Sequence, residues 1–225
     1  MGDTSLTKLS GIFSLLSAAC IIGAIAIGIA SGGQGPQAMD FGDPALLARL
    51  HADKNAILLV SLALIGPALG LGAGLGWYAL LRGQRAYALL GILLWYLGMI
   101  FIVWQDALEL VLVTHLPARY AAADATGQAA LLAAGGLLGD AIALFTLLGD
   151  LISFFGLLLV GVALWEKAGR WRWLGAVGIL SAVAISLGLV VPALAPLRLL
   201  GFILFMVWMI AMGIAMLRWR PDAAG

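Results

Sequence analysis

The chain has 225 residues, 64% of them hydrophobic and 10% charged, with a formal net charge of +1. Soluble domains run roughly 45–50% apolar and about 25% charged, so a water-soluble fold of this length has no place for so much oily surface, whereas a bilayer solvates it from outside. The small net charge and the lack of any Lys/Arg run exclude a nucleic-acid-binding stripe. The single cysteine, Cys20, excludes an intramolecular disulfide, a CxxC redox pair and a cysteine zinc cluster.

A helix needs about 20 mostly apolar residues to cross the hydrocarbon core. Six segments meet that requirement, at 10–31, 55–81, 86–114, 129–165, 172–195 and 199–217, and they predict an all-α, single-domain polytopic bundle. In the first, Gly28 and Ala30 have the spacing of a signal-peptide cleavage site, but the apolar run of about 20 residues exceeds the 7–15 of a signal h-region. The loop that follows opens with Gly32, Gly33, Gly35 and Pro36. It then reads Asp43-Pro44-Ala45-Leu46-Leu47, an N-cap with proline at the first helical position. A short amphipathic helix lying on the outer surface is expected there. Segment two carries Gly66, Gly70 and Gly74 at four-residue spacing, with Pro67 predicted to bend it. Such a face serves close packing inside the monomer or a homo-oligomer seam. The stretch from His115 to Gln128, with Pro117, reads as the loop between segments three and four. Segment four is too long for one straight span and is expected to begin as an interfacial helix or to extend past the membrane on one side.

The distribution of Lys and Arg sets the orientation. With the N-terminus inside, the cytoplasmic segments hold Lys8, Arg82, Arg85, Lys167, Arg170, Arg172, Arg218 and Arg220, against Arg49, Lys54, Arg119 and Arg198 in the outer loops. Both termini are then cytoplasmic, in an inner membrane. Trp77, Trp165, Trp171, Trp173 and Trp219 stand beside the inner loops, where amphipathic rings settle.

Four carboxylates fall inside the expected spans: Asp106 and Glu109 in segment three, Asp140 and Asp150 in segment four. On insertion scales an ionised acid at mid-bilayer costs roughly 2.5–3.5 kcal/mol, and no Lys or Arg lies deep in a span to offset it. Asp106 and Glu109 are three residues apart on one face, and Gln105 shares that face with Glu109. If segments three and four pack together, Asp140 faces this pair. The resulting polar cluster opens outward toward His115, Arg119, Tyr120 and His51. Leu137-Leu138-Gly139-Asp140 recurs ten residues on as Leu147-Leu148-Gly149-Asp150. Ten residues turn a helix by about 1000°, which leaves the two aspartates about 80° apart in direction.

Three functions compete for these acids. They could bind or carry a proton, a cation or a small cationic molecule. They could serve a metal-dependent membrane-embedded hydrolase, with a histidine added to the ligand set. Or they could be hydrogen-bonded glue in a structural or accessory subunit without a ligand. No HExxH, P-loop, dinucleotide fingerprint or Gly-x-Ser-x-Gly elbow is present, and no particular metal or cofactor is identified. Finally, His115-Leu116-Pro117-Ala118-Arg119-Tyr120, with the Ala-rich run to Leu132, resembles an element of certain bacterial six-helix membrane proteins known only as a domain of unknown function. The resemblance implies six helices and no established catalytic residue, and it directs attention to His115 and Tyr120.

Overall fold

The computed structural model describes residues 3–30, 39–53, 55–81, 86–167 and 169–219. Seven α-helices follow in order: α1 (Asp3–Ala30), α2 (Pro44–Ala52), α3 (Ala56–Leu81), α4 (Ala86–Ala122), α5 (Ala125–Trp165), α6 (Arg170–Val190) and α7 (Ala195–Leu217). A 3-10 turn at Pro192–Leu194 leads into α7. There is no strand among the described residues. All but α2 are long and apolar enough to cross a membrane, and the chain is an all-α polytopic membrane protein. Within oil every backbone polar group must be satisfied internally, and apolar runs of 21 to 41 residues do so as helices, being far longer than a barrel strand needs. Their surfaces match the solvent they are built for: Leu137 is 73% exposed, Leu199 67% and Trp104 64%.

The chain divides into two compact units, each packed mainly against itself. One comprises Met1–Ala18, Ala68–Ile100 and Leu148–Gly225; the other comprises Ala19–Pro67 and Phe101–Leu147. The first unit is organised around three fully buried indoles, Trp77, Trp95 and Trp208. The Trp77 ring lies 4.8 Å from that of Trp95 and 5.1 Å from that of Trp208, in tilted and edge-on arrangements that suit the ring quadrupoles. Trp208 Nε1–H donates to the Leu174 carbonyl at 2.8 Å. Trp77 and Trp95 bury theirs without an acceptor among the described residues, a cost that ring packing must offset. Helices α4 and α5 meet backbone to backbone: a Cβ on Gly98 would stand 2.4 Å from the Ser153 nitrogen, and one on Gly156 would stand 2.5 Å from the Trp95 nitrogen. On α1, Thr7, Ser10, Ser14 and Ser17 form a buried hydroxyl stripe, and Ser14 Oγ donates to the Met209 carbonyl at 2.7 Å.

The second unit is built on α2. Asp43 caps it, accepting the Ala45 N–H at 2.8 Å, with Pro44 in the first turn. Leu46, Leu47 and Leu50 are buried with Phe41, Val60, Leu112, Val113, Leu116 and Ile142 in one apolar core. The Phe41 carbonyl presses onto α5 at Gly135, where an added Cβ would come within 2.4 Å. Thus α2 is amphipathic as expected, but its apolar face is docked into a protein core rather than laid on a surface. Cys20 is half-buried on α1.

Several boundaries differ from expectation. Helix α1 begins at Asp3 rather than residue 10. The region from His115 to Gln128 is almost entirely helical: α4 runs through Pro117 to Ala122, and α5 starts at Ala125. The Ala-rich stretch has high helix propensity, and Asp124 caps α5 by accepting the Gly127 N–H at 2.8 Å, so only two residues break the helix. Segment four is one continuous helix of 41 residues. Helix α6 stops at Val190, and α7 starts at Ala195 with a proline in its first turn. Gly70 faces Met99, Ser17 and Trp95, and Gly74 faces Tyr96, all in the same chain; there the small residues serve packing inside the monomer.

Candidate acidic site

The four acids are divided between the two units. Asp106 and Glu109 lie on the part of α4 that belongs to the α2-centred unit, and Asp140 lies on the part of α5 in that unit. Asp150 belongs to the tryptophan-centred unit. Asp106 is 6% exposed. Gln105 Nε2 donates to Asp106 Oδ1 at 2.9 Å and lies within hydrogen-bonding reach of Glu109, which is half-buried one helical turn further on. One amide thus stands between two carboxyl groups on a single helix face, as the three- and four-residue spacings require.

Asp140 is exposed. The 80° offset that ten residues impose separates it from Asp150, whose side chain turns instead toward α7. Arg198 Nη2 donates to Asp150 Oδ2 at 3.1 Å. This corrects the expectation that no basic residue reaches an intramembrane acid. Pro196 sits in the first turn of α7, so Arg198 is helical and not part of a loop. The signal is present in the sequence, since proline favours the first turn of a helix. The α1 hydroxyl stripe, with spacings of three, four and three, is a second polar feature, one that charge alone does not reveal.

Of the other candidates, His115, Arg119 and His51 are exposed. Tyr120 packs at the edge of the α2 core, and its carbonyl accepts the Gln128 side-chain amide at 3.2 Å. Among the described residues no three of the His, Cys, Asp and Glu side chains gather closely enough to hold a metal ion, so the geometry lends nothing to a metal-dependent hydrolase. The pair Asp106 and Glu109, with Gln105, is chemically suited to something simpler: two carboxyl groups and an amide within one turn can share a proton or offer oxygen ligands to one small cation. No known protein family, curated protein or solved structure matches the chain.

Proposed function

We propose that the chain is a bacterial inner-membrane protein with both termini in the cytoplasm, and that it binds a proton or small cation on the Asp106–Glu109 pair of α4. The two-to-one Lys/Arg bias supports the orientation. The observation that carries the binding role is a carboxyl group 6% exposed in a helix that is long and apolar enough to span a membrane. Charge at that position has to be neutralised by a proton, a donor or a bound cation. Gln105 holds Asp106 in place, and Glu109 supplies a second carboxyl group to share the load.

Purified protein in vesicles tests this by infrared difference spectroscopy of the carboxyl C=O band on changing pH or on adding Na⁺, K⁺ or Mg²⁺. A titrating or cation-sensitive band should appear in the wild type and vanish in Asp106→Asn and Glu109→Gln. An unchanged difference spectrum in both variants would count against the site. One observation favours a second reading, that of an accessory subunit without a ligand: Asp150 is already neutralised inside the chain by Arg198, as an acid kept for structure would be. Full tolerance of Asp106→Asn and Glu109→Gln, together with a stably co-purifying partner, would favour that reading.

A further inference from the structure

The turn joining α5 to α6 reads Trp165-Glu166-Lys167-Ala168-Gly169-Arg170-Trp171-Arg172-Trp173. Two of its charges are engaged locally. The Tyr87 hydroxyl donates to the Glu166 carboxylate, and Lys167 Nζ donates to the Leu80 carbonyl at the end of α3, at 2.7 Å. Arg170 and Arg172 are engaged differently: each guanidinium lies over an indole, Arg170 at 5.2 Å from the Trp171 ring and Arg172 at 4.8 Å from that of Trp165. Neither is ion-paired with an Asp or Glu among the described residues. Stacking fixes the plane of a guanidinium while leaving its N–H edge open for a bidentate acceptor such as phosphate.

Directly beside this turn lies an open groove of about 340 Å³ lined by Val162, Trp165, Ala176, Ile179 and Leu180. That volume is at the lower end of ligand clefts, which run from about 300 Å³ upward. The groove exists because α5 and α6 cross at glycine: a Cβ on Gly175 would stand 2.4 Å from the Trp165 nitrogen and 2.6 Å from the Gly161 carbonyl oxygen. Next to that crossing the small Ala176 leaves a furrow. All five lining residues are apolar, and Leu180 is 60% exposed. Along α6 the lining runs from Ala176 to Leu180, about 6 Å, and begins one turn beyond Arg172. Trp165 belongs to both features, forming the wall of the groove and the platform under Arg172.

From this juxtaposition we infer that the α5–α6 hairpin is a binding site for an anionic phospholipid of the surrounding bilayer. The phosphate lies on the stacked Arg172, with Arg170 beside it, and an acyl chain occupies the groove. Charge selects the occupant: two cations with no carboxylate partner among the described residues stand at the end of an oily furrow, where a headgroup meets its chain.

Native mass spectrometry of the full chain in detergent, titrated with phosphatidylglycerol or phosphatidylcholine, tests the site. Phosphatidylglycerol should bind at least fivefold more tightly than phosphatidylcholine, and glycerol phosphate, which has no chain, should not displace it. Arg172→Gln should abolish the preference between the two lipids. Ala176→Leu, which fills the furrow and leaves every charge in place, should weaken phosphatidylglycerol at least fivefold with unchanged helicity and elution volume. If Arg172→Gln fails to fold, the Ala176→Leu result alone decides. Equal binding of the two lipids, displacement by glycerol phosphate, or wild-type phosphatidylglycerol affinity in Ala176→Leu would overturn the assignment.

Discussion

Arg198→Met leaves Asp150 facing the interior of the α5–α7 contact with no partner. The two charged groups are 3.1 Å apart, and their side chains are unequally exposed, 17% for Asp150 and 48% for Arg198. At an effective dielectric constant of about 20 their direct attraction is about 5 kcal/mol, but desolvating both groups offsets much of it. Breaking a wholly buried pair costs about 3–5 kcal/mol, and an exposed pair is worth about 0–1 kcal/mol. The half-exposed guanidinium places Arg198→Met between these limits, at a loss of about 2 kcal/mol. Asp150→Asn strands a cation that can still reach polar surroundings, so it should cost about 1 kcal/mol or less. The double variant should then be more stable than Arg198→Met alone, because no uncompensated carboxylate remains. Equilibrium unfolding in mixed non-ionic and dodecyl sulfate micelles, followed by circular dichroism, measures all three. Strict additivity of the two single losses to within about 0.5 kcal/mol would refute the assignment of the ion pair as a stabilising link.

Other outcomes follow from the same structure. Gly98→Ala brings a methyl group to 2.4 Å from a backbone nitrogen, so α4 and α5 must part there at a cost of about 1–3 kcal/mol. Gly23→Ala, whose methyl would sit 3.6 Å from the Leu62 side chain, should be neutral or gain up to about 1 kcal/mol from helix propensity; the same unfolding assay separates the two. Asp43→Ala removes the cap of α2 and should cost about 1 kcal/mol, read as faster amide exchange at Leu46 to Leu50. Burial lowers the proton affinity of Lys167 below its ordinary 10.5. Between the folded value and 10.5 the unfolded chain then holds more protons, and stability should rise with pH across that window and be flat below it. The thermal midpoint of Lys167→Met should lack that rise.

The six spans are legible because a run of about twenty apolar residues has one reading in lipid, and the cap of α2 is legible because Asp43-Pro44 states a helix start outright. Pro117 misleads: as a breaker it suggests a loop, yet a proline costs the helix one hydrogen bond, which the burial of Leu112, Val113 and Leu116 of the same helix in the α2 core outweighs. Arg198 reads as a loop residue because Pro192 and Pro196 look like punctuation, although Pro196 opens a helix. The positions of the acids along the chain follow from the sequence, but the faces they present depend on which neighbour each helix packs against, and the expected four-acid pocket rests on that. Asp106, Glu109 and Gln105 need only the geometry of a single helix, and that part of the site is readable in advance.

The indole cluster makes the molecule its own spectroscopic instrument. Seven of the eight tryptophans lie in the unit that contains Trp77, Trp95 and Trp208, and the eighth, Trp104, is the sole indole of the other unit. Chromophores held about 5 Å apart couple strongly, and that coupling gives a near-ultraviolet dichroic signal which fades when side-chain packing loosens. Trp104 is 64% exposed, and once Trp165, Trp171, Trp173 and Trp219 are replaced by phenylalanine its quenching by lipid-borne bromine reports on the other unit. Whether the two halves of the chain loosen together or one after the other is therefore open to measurement on the unlabelled protein.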